Sequence, residues 1–363
     1  MTETDRLRVM VTMSGGVDSS VAAMLLKEKG YDLIGVTMLV SDHSAYGDQN
    51  YSGEEQAAKE AKQVAQSLGF PHYTVDFRRQ FREKIIANFK TEYLNGRTPN
   101  PCVLCNSLIK WQAMLEFGQQ HNIDKIASGH YAKIAHQQGR YYVKKGTDQS
   151  KDQSYMLWGL TQEQLSKTLL PLGNYTKEEI RAIATESGFK TLAQKKESFE
   201  ICFIPDDDYH RFLEMEISGI RKRFAGGAIK TLEGKKVGEH RGFPFYTIGQ
   251  RRGLDIALGK PVYVVDIHAD SNEIVIGEKA DLFSSAMNLT KVNLQKFPAL
   301  QNGQQLMVKV RYHHQGEKAV VYKNADGLQV KFENPVMAVT AGQSAVLYED
   351  QDVVGGGVIV KAR

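Results

Sequence analysis

Short apolar runs alternate with amphipathic stretches through the first half of the chain, and most runs end at a glycine or a polar turn. Val9 to Met13 reads as a strand, followed by a helix from near Ser19 to about Lys29, closed by Gly30. Leu33 to Val40 is the next strand. After a polar loop, Ser41 to Gly53, a helix runs to Leu68 with Gly69 as its stop, and His72 to Val75 forms a third strand. Strands alternating with helices predict a parallel sheet covered on both faces. Such sheets bind ligands at the carboxyl ends of their strands. Lys125-Ile126-Ala127-Ser128 adds a short strand that runs into Gly129-His130-Tyr131, and Lys151 to Ser154 is a polar loop. Two helices open with capping boxes, Thr161-x-x-Gln164 and Thr176-x-x-Glu179, the second ending at Gly188.

Past about residue 206 the rhythm changes to short strands, with glycines clustered from Gly226 to Gly253. From about residue 281, alternating runs such as Val308 to Tyr312 and Lys318 to Tyr322 indicate a small antiparallel β domain. In the first of these Val308, Val310 and Tyr312 share a face, with Lys309 and Arg311 on the other. The expected organisation is therefore an α/β part over 1–206, a small mixed or β part over 207–280, and a β-barrel-like part over 281–363.

A chain of 363 residues, 42% apolar and 24% charged, has the composition of a globular protein with two or three domains. It has no run of eighteen apolar residues, so no transmembrane span is expected. The polar start, Met1 to Asp5, does not resemble a targeting segment, which makes the expected location cytoplasmic. Net charge is only +4, but Arg221 to Arg252 holds nine Lys or Arg against Glu233 and Glu239. That local +7 is a candidate footprint for a polyanion such as nucleic acid.

Chemistry concentrates in two places. Ser14-Gly15-Gly16-Val17-Asp18-Ser19-Ser20 lies where the first strand turns into a helix. Two glycines there allow positive φ and close approach of an anion, and the helix offers unpaired N–H groups and the positive end of its dipole. No Lys follows the glycines, so this is not a Walker loop. The second place is Cys102-x-x-Cys105 in a proline-rich segment, with Cys202 ninety-seven residues later. With Ser107 to Phe117 read as a helix, Cys105 stands beside its N-terminus, where a thiol pKa is lowered. Three thiols suit a zinc site poorly. They leave an iron–sulfur cluster held by Cys102, Cys105 and Cys202 open, with thiol chemistry through a persulfide and a resolving disulfide the preferred reading.

The Ser14 loop looks like the PP-loop of ATP pyrophosphatases. Taken with Asn100-Pro101-Cys102-x-x-Cys105-Asn106, Ser128 to Tyr131, Lys151 to Tyr155 and Ile201-Cys202-Phe203-Ile204, it resembles the bacterial tRNA-specific 2-thiouridylase family. Tyr246 to Leu254, Arg311-Tyr312, Ala341-Gly342-Gln343 and Gly355-Gly356-Gly357 continue the match in order along the chain. The resemblance implies an adenine nucleotide α-hydrolase-like first domain, a central tRNA-binding domain and a C-terminal barrel. It implies an enzyme that adenylates the C2 carbonyl of the wobble uridine in tRNAs for Lys, Glu and Gln and replaces that oxygen by sulfur, giving AMP and pyrophosphate. ATP and Mg2+ are implied cofactors, and a cysteine desulfurase or sulfur-relay protein the implied persulfide donor.

By the same resemblance Cys202 accepts the persulfide, and Cys105 is the nucleophile that releases the sulfur as it forms a disulfide with Cys202. Thr12, Met13, Ser14, Gly15, Gly16, Val17, Asp18, Ser19, Met38 and Gly129 would bind ATP. Asn100, Pro101 and Cys102 would line the target base, which must flip out to be reached. His130, Lys151, Asp152, Gln153, Arg311, Tyr312 and Gln343 would contact tRNA. Two departures stand out. Cys102 occupies a position where some members carry Asp, and Lys196 to Glu200 lacks the common Asp-Ser-x-Gly before Ile-Cys. The competing readings are an amidating PP-loop synthetase, which has no use for three cysteines, and a metal-stabilised RNA-binding protein, which leaves the Ser14 loop unexplained.

Overall fold

A computed structural model describes residues 7–41, 53–195 and 201–362. Most of the loop after Ser41, and the Lys196 to Glu200 departure, lie outside the described residues. The first part is built on a parallel sheet of β1 (Arg8–Thr12), β2 (Asp32–Leu39), β3 (His72–Asp76), β4 (Lys125–Ala127) and β7 (Thr168–Leu169), in the order β3-β2-β1-β4-β7. β1 is central because it is apolar on both sides. Val9 and Val11 pack with α1 (Val17–Glu28) on one face, while Met10 between them packs with Ile34, Phe81 and Phe89 on the other. α2 (Gly53–Ser67) adds Ala61, Val64 and Ala65 to the α1 side. Both predicted capping boxes form: Thr161 and Thr176 accept from the Gln164 and Glu179 amides, and those side chains accept in return.

Between residues 206 and 226 the chain is helical rather than stranded. Asp208 accepts from the Arg211 amide at 3.0 Å and starts the helix Tyr209–Glu216, and a short helix Ile220–Phe224 follows. The strand-like reading missed this cap. β8 (Gly227–Thr231), β9 (Lys236–His240), β10 (Tyr263–His268) and β11 (Glu273–Gly277) then make a sheet in the order β10-β11-β8-β9. The basic stretch here is less bare than its sequence suggests. Arg221, Lys230 and Arg241 pair with Glu214, Glu273 and Asp255 from outside the stretch, and Lys236 pairs with Glu239 within it.

The last part is a closed barrel. β12 (Phe283–Leu294), β13 (Gln304–Lys309), β14 (Glu317–Asn324), β15 (Gly327–Met337), β16 (Ser344–Glu349) and β17 (Asp352–Ala362) run β12-β15-β14-β13-β16-β17, and β12 pairs with β17 to close it. Met287, Leu289, Val308, Val321, Val330 and Leu347 fill its interior. β13 stops at Lys309, so Tyr312 does not continue the Val308 face but packs with Tyr155 and Trp158 in a separate cluster. A hairpin from the first half, β5 (Ala132–Gln137) and β6 (Arg140–Lys145), extends the barrel sheet through the pairing of Lys144 with Asp352.

Candidate functional site: a phosphate loop beside a thiol crevice

The Ser14 loop leaves the carboxyl end of β1. Gly15 has φ +68°, and a Cβ there would lie 2.6 Å from the Ala57 carbonyl oxygen of α2, so only glycine fits. Gly16 has φ −95° and serves as the N-cap of α1, which starts at Val17 rather than Ser19; one glycine, not both, needs positive φ. The Ser19 hydroxyl accepts from the Ser14 amide at 3.1 Å, and Ser20 Oγ donates to the Gly16 carbonyl at 3.0 Å, fixing the turn. Thr12 Oγ1 donates to the Ala127 carbonyl, and Thr37 Oγ1 to that of Met13. Met38 is half-buried on the same rim. Gly129 was expected to admit a nucleotide. Its missing Cβ makes room for the loop itself, since a Cβ would lie 2.8 Å from Asp18 C and Ser19 N.

Asp18 is engaged by distant residues. Its carboxylate accepts from Lys177 Nζ at 2.7 and 2.8 Å and from the Tyr131 hydroxyl at 2.6 Å. Lys195 Nζ donates to the Gly15 carbonyl at 3.0 Å and to Glu60 at 2.5 Å. Sequence reading found neither lysine, because each reaches the loop from about 160 to 180 residues away with no motif around it.

The thiol crevice adjoins this rim. Asn100 caps a helix, Pro101–Cys105, that continues as a π-helical stretch, Asn106–Ala113, and ends as Met114–Gln119. Proline at the first helical position, after an Asn cap, starts the helix six residues before the expected Ser107. Cys105 therefore lies at the end of the opening helical segment, buried among Ile109, Phe203 and Ile204. Burial, opposed by Lys110, pushes its thiol up to about 11; the expectation of a lowered pKa fails because the thiol is buried and does not stand at a helix N-terminus. Cys102 and Cys202 each expose some surface, yet the protein crowded around them also raises their pKa values. Cys202 feels the charges of Cys105, Cys102, Lys110 and Glu54, which places the three thiols in one crevice. Lys110, which sequence reading passed over, is the shared cation of that crevice; π-helical turns, common at functional sites, are the sole local hint. Among the described residues no three His, Cys, Asp or Glu side chains are grouped to hold a metal ion.

Gly129 packs against the loop, and the neighbouring His130 feels the charge of Lys110, the cation that also acts on the thiols. The His130 ring is buried, bonded through Nδ1 to Ser128 Oγ at 2.7 Å and tilted against Trp111, and burial holds it neutral, far below the usual histidine range. Asp152 is buried, accepting from the Gly146 and Ser154 amides and the Ser154 hydroxyl. Gln153 Oε1 accepts from the Tyr131 amide, and Lys151 sits in the adjoining turn. Arg311 Nη1 donates to the Met337 carbonyl, and the Tyr312 ring lies 6.2 Å from that of Tyr155. Gln343 Nε2 donates to the Thr98 and Pro99 carbonyls at 3.3 and 2.8 Å, joining the barrel to the segment that leads into Cys102.

The chain is 50% identical over 357 residues to a tRNA-specific 2-thiouridylase MnmA of Amoebophilus asiaticus, covering 97% of this chain and 95% of that one. It belongs to the tRNA-specific 2-thiouridylase family. A relative of the same name from Salinibacter ruber is 47% identical, covering 97% and 94% of the two chains. Three domain families also match: a tRNA methyl transferase HUP domain over residues 7–206, a tRNA methyl transferase PRC-barrel domain over 218–278 and an aminomethyltransferase beta-barrel domain over 284–359. The parallel sheet with its loop and the closed barrel are the architecture this family membership calls for. Among the described residues no helix is long and apolar enough to cross a membrane.

Proposed function

We propose that this protein is a tRNA-uridine 2-sulfurtransferase in three parts: an ATP-binding catalytic part over 1–206, a tRNA-binding part over 207–280 and a barrel over 281–363. The observation that carries the reading is a glycine turn at the carboxyl end of β1, shaped to take an anion at the α1 N-terminus, together with three cysteines that act on one another and on the shared cation Lys110. Thr12 to Ser19, with Met38 and Gly129 beside them, take ATP with Mg2+, and the α1 N-terminus receives the phosphates. The O2 oxygen of the wobble uridine of a tRNA for Lys, Glu or Gln attacks the α-phosphorus, and pyrophosphate leaves. A carbonyl oxygen is a poor leaving group, and adenylation turns it into AMP, a good one.

A desulfurase or relay protein loads Cys202 as a persulfide. The Cys105 thiolate attacks the Cys202 sulfur, forming the Cys105–Cys202 disulfide and expelling hydrosulfide. Hydrosulfide adds at C2, the C2–O bond breaks and AMP departs; an external dithiol then reduces the disulfide. Asn100, Pro101 and Cys102 face the flipped base. Lys151, Arg311, Tyr312 and Gln343 face tRNA, with His130, Asp152 and Gln153 shaping the surface they present.

With tRNA and a persulfide donor, AMP and pyrophosphate are the expected products, and ADP with phosphate would refute the reading. Cys105→Ser and Cys202→Ser should each abolish persulfide-dependent thiolation while retaining tRNA binding. Full activity in either variant contradicts the relay. Iron and labile-sulfide analysis after anaerobic purification, with thiolation assayed on metal-free protein, separates the relay from cluster chemistry: the relay requires activity without iron.

A further inference from the structure

The phosphate loop carries no lysine of its own, and the chain brings one to it from afar. Lys195 Nζ lies 3.0 Å from the Gly15 carbonyl, at the one residue of the loop held at positive φ. Its second partner is Glu60 on α2, the helix whose Ala57 backbone crowds Gly15. Lys195 and Glu60 side chains are 42% and 34% exposed, so the pair is open to solvent and easily exchanged. Lys177, the other lysine at the loop, is in a different state: it is buried, and two of its bonds go to the Asp18 carboxylate. One lysine thus fixes an acid of the loop. The other stands at the edge of the anion site with a single replaceable carboxylate on it.

We propose that Lys195 is a phosphate-binding residue of this site, exchanging Glu60 for the β and γ phosphates of the nucleotide. The inference rests on the nucleotide reading given above. An ammonium at this position supplies the positive charge that the loop's backbone N–H groups and the α1 dipole provide only in part. It would neutralise pyrophosphate as that group separates from the adenylated uridine. The contact belongs to the distal phosphates, so it should leave an AMP complex untouched.

Equilibrium binding of ATP, inorganic pyrophosphate and AMP to the full-length wild type, Lys195→Met and Lys195→Arg tests this. Loss of one charge-assisted contact should weaken ATP and pyrophosphate by on the order of tenfold in Lys195→Met. AMP should stay within about twofold, and Lys195→Arg should recover most of the loss. Unchanged ATP affinity in Lys195→Met overturns the inference. So does a parallel loss of AMP, the behaviour of a residue that merely shapes the loop. A wild-type protein that binds neither ATP nor pyrophosphate overturns the nucleotide reading and this inference with it, whereas a wild type that binds ATP beside an unaffected variant overturns this inference alone.

Discussion

At the scale of single residues, the three thiols differ in exposure: Cys105 is buried, whereas Cys102 and Cys202 reach the surface. Cys105 contributes to the core beside Phe203 and Ile204, and that burial, more than its place in a helix, sets its acidity. A thiol held up to about 11 stays protonated near neutrality, so attack on a persulfide requires a base or a change of surroundings when substrate docks. The raised pKa also fixes a stability trend. The folded state keeps the Cys105 proton longer than the unfolded chain, so its contribution is complete below the ordinary thiol pKa and is lost as pH rises toward 11. In a Cys102→Ser/Cys202→Ser variant, iodoacetamide alkylation of Cys105 should therefore keep accelerating from pH 8 to beyond pH 10. A rate that levels off near pH 8.5 would mean the thiol is unperturbed. None of this was legible from Cys-x-x-Cys spacing, because burial is a property of what packs over the thiols, and Phe203 arrives nearly a hundred residues later.

Elements were far more legible than their meetings. Local signals announced β1 to β4, α1, the two capping boxes and the β-rich end, because periodicity and cap chemistry are written within a few residues of each element. The helix at Pro101 does carry a local signal, an Asn cap followed by Pro at the first helical position, which is masked because the two prolines also fit an extended chain. Lys177, Lys195 and Lys110 left no signal, as their partners are set by packing alone. The crossing of α2 over the loop is another such meeting, and it has a measurable consequence. Gly15 and Gly30 both have positive φ, at +68° and +82°, but a Cβ on Gly15 would strike Ala57 whereas one on Gly30 would meet nothing within 4 Å. Gly30→Ala should cost about 1 kcal/mol from backbone conformation alone. Gly15→Ala should cost clearly more in urea unfolding and should weaken ATP binding, because α2 must retreat from the loop. Equal midpoints for the two variants would show that α2 does not constrain the loop.

Across the whole molecule, the hairpin β5–β6 belongs by sequence to the sheet domain and by hydrogen bonding to the barrel sheet, so the two parts share one sheet. Gln295, fully buried, donates from Nε2 to the Leu157 and Trp158 carbonyls and accepts the Val143 amide through Oε1. Arg140 donates to the Leu294 and Gln295 carbonyls. Beside them Lys296 and Lys144 converge on Asp352, at 2.7 and 3.0 Å. Burial works to raise the Asp352 pKa, but the two ammonium groups outweigh it and hold the carboxyl below its ordinary range. The sign follows. Asp352 stabilises the junction fully above the ordinary carboxylate pKa, and that contribution is lost as pH falls through its depressed folded value. Asp352→Asn should therefore cost about 1–3 kcal/mol at pH 7, with the gap to wild type closing toward pH 3. The measurement is urea unfolding at both pH values, followed by amide exchange in β6 and β17. If β6 and β17 lose protection together in the variant, the junction acts as one cooperative unit that carries Gln343 and the Thr98–Pro99 segment into place beside Cys102. If β17 alone loosens, the barrel is a separable attachment and the thiol crevice does not depend on it.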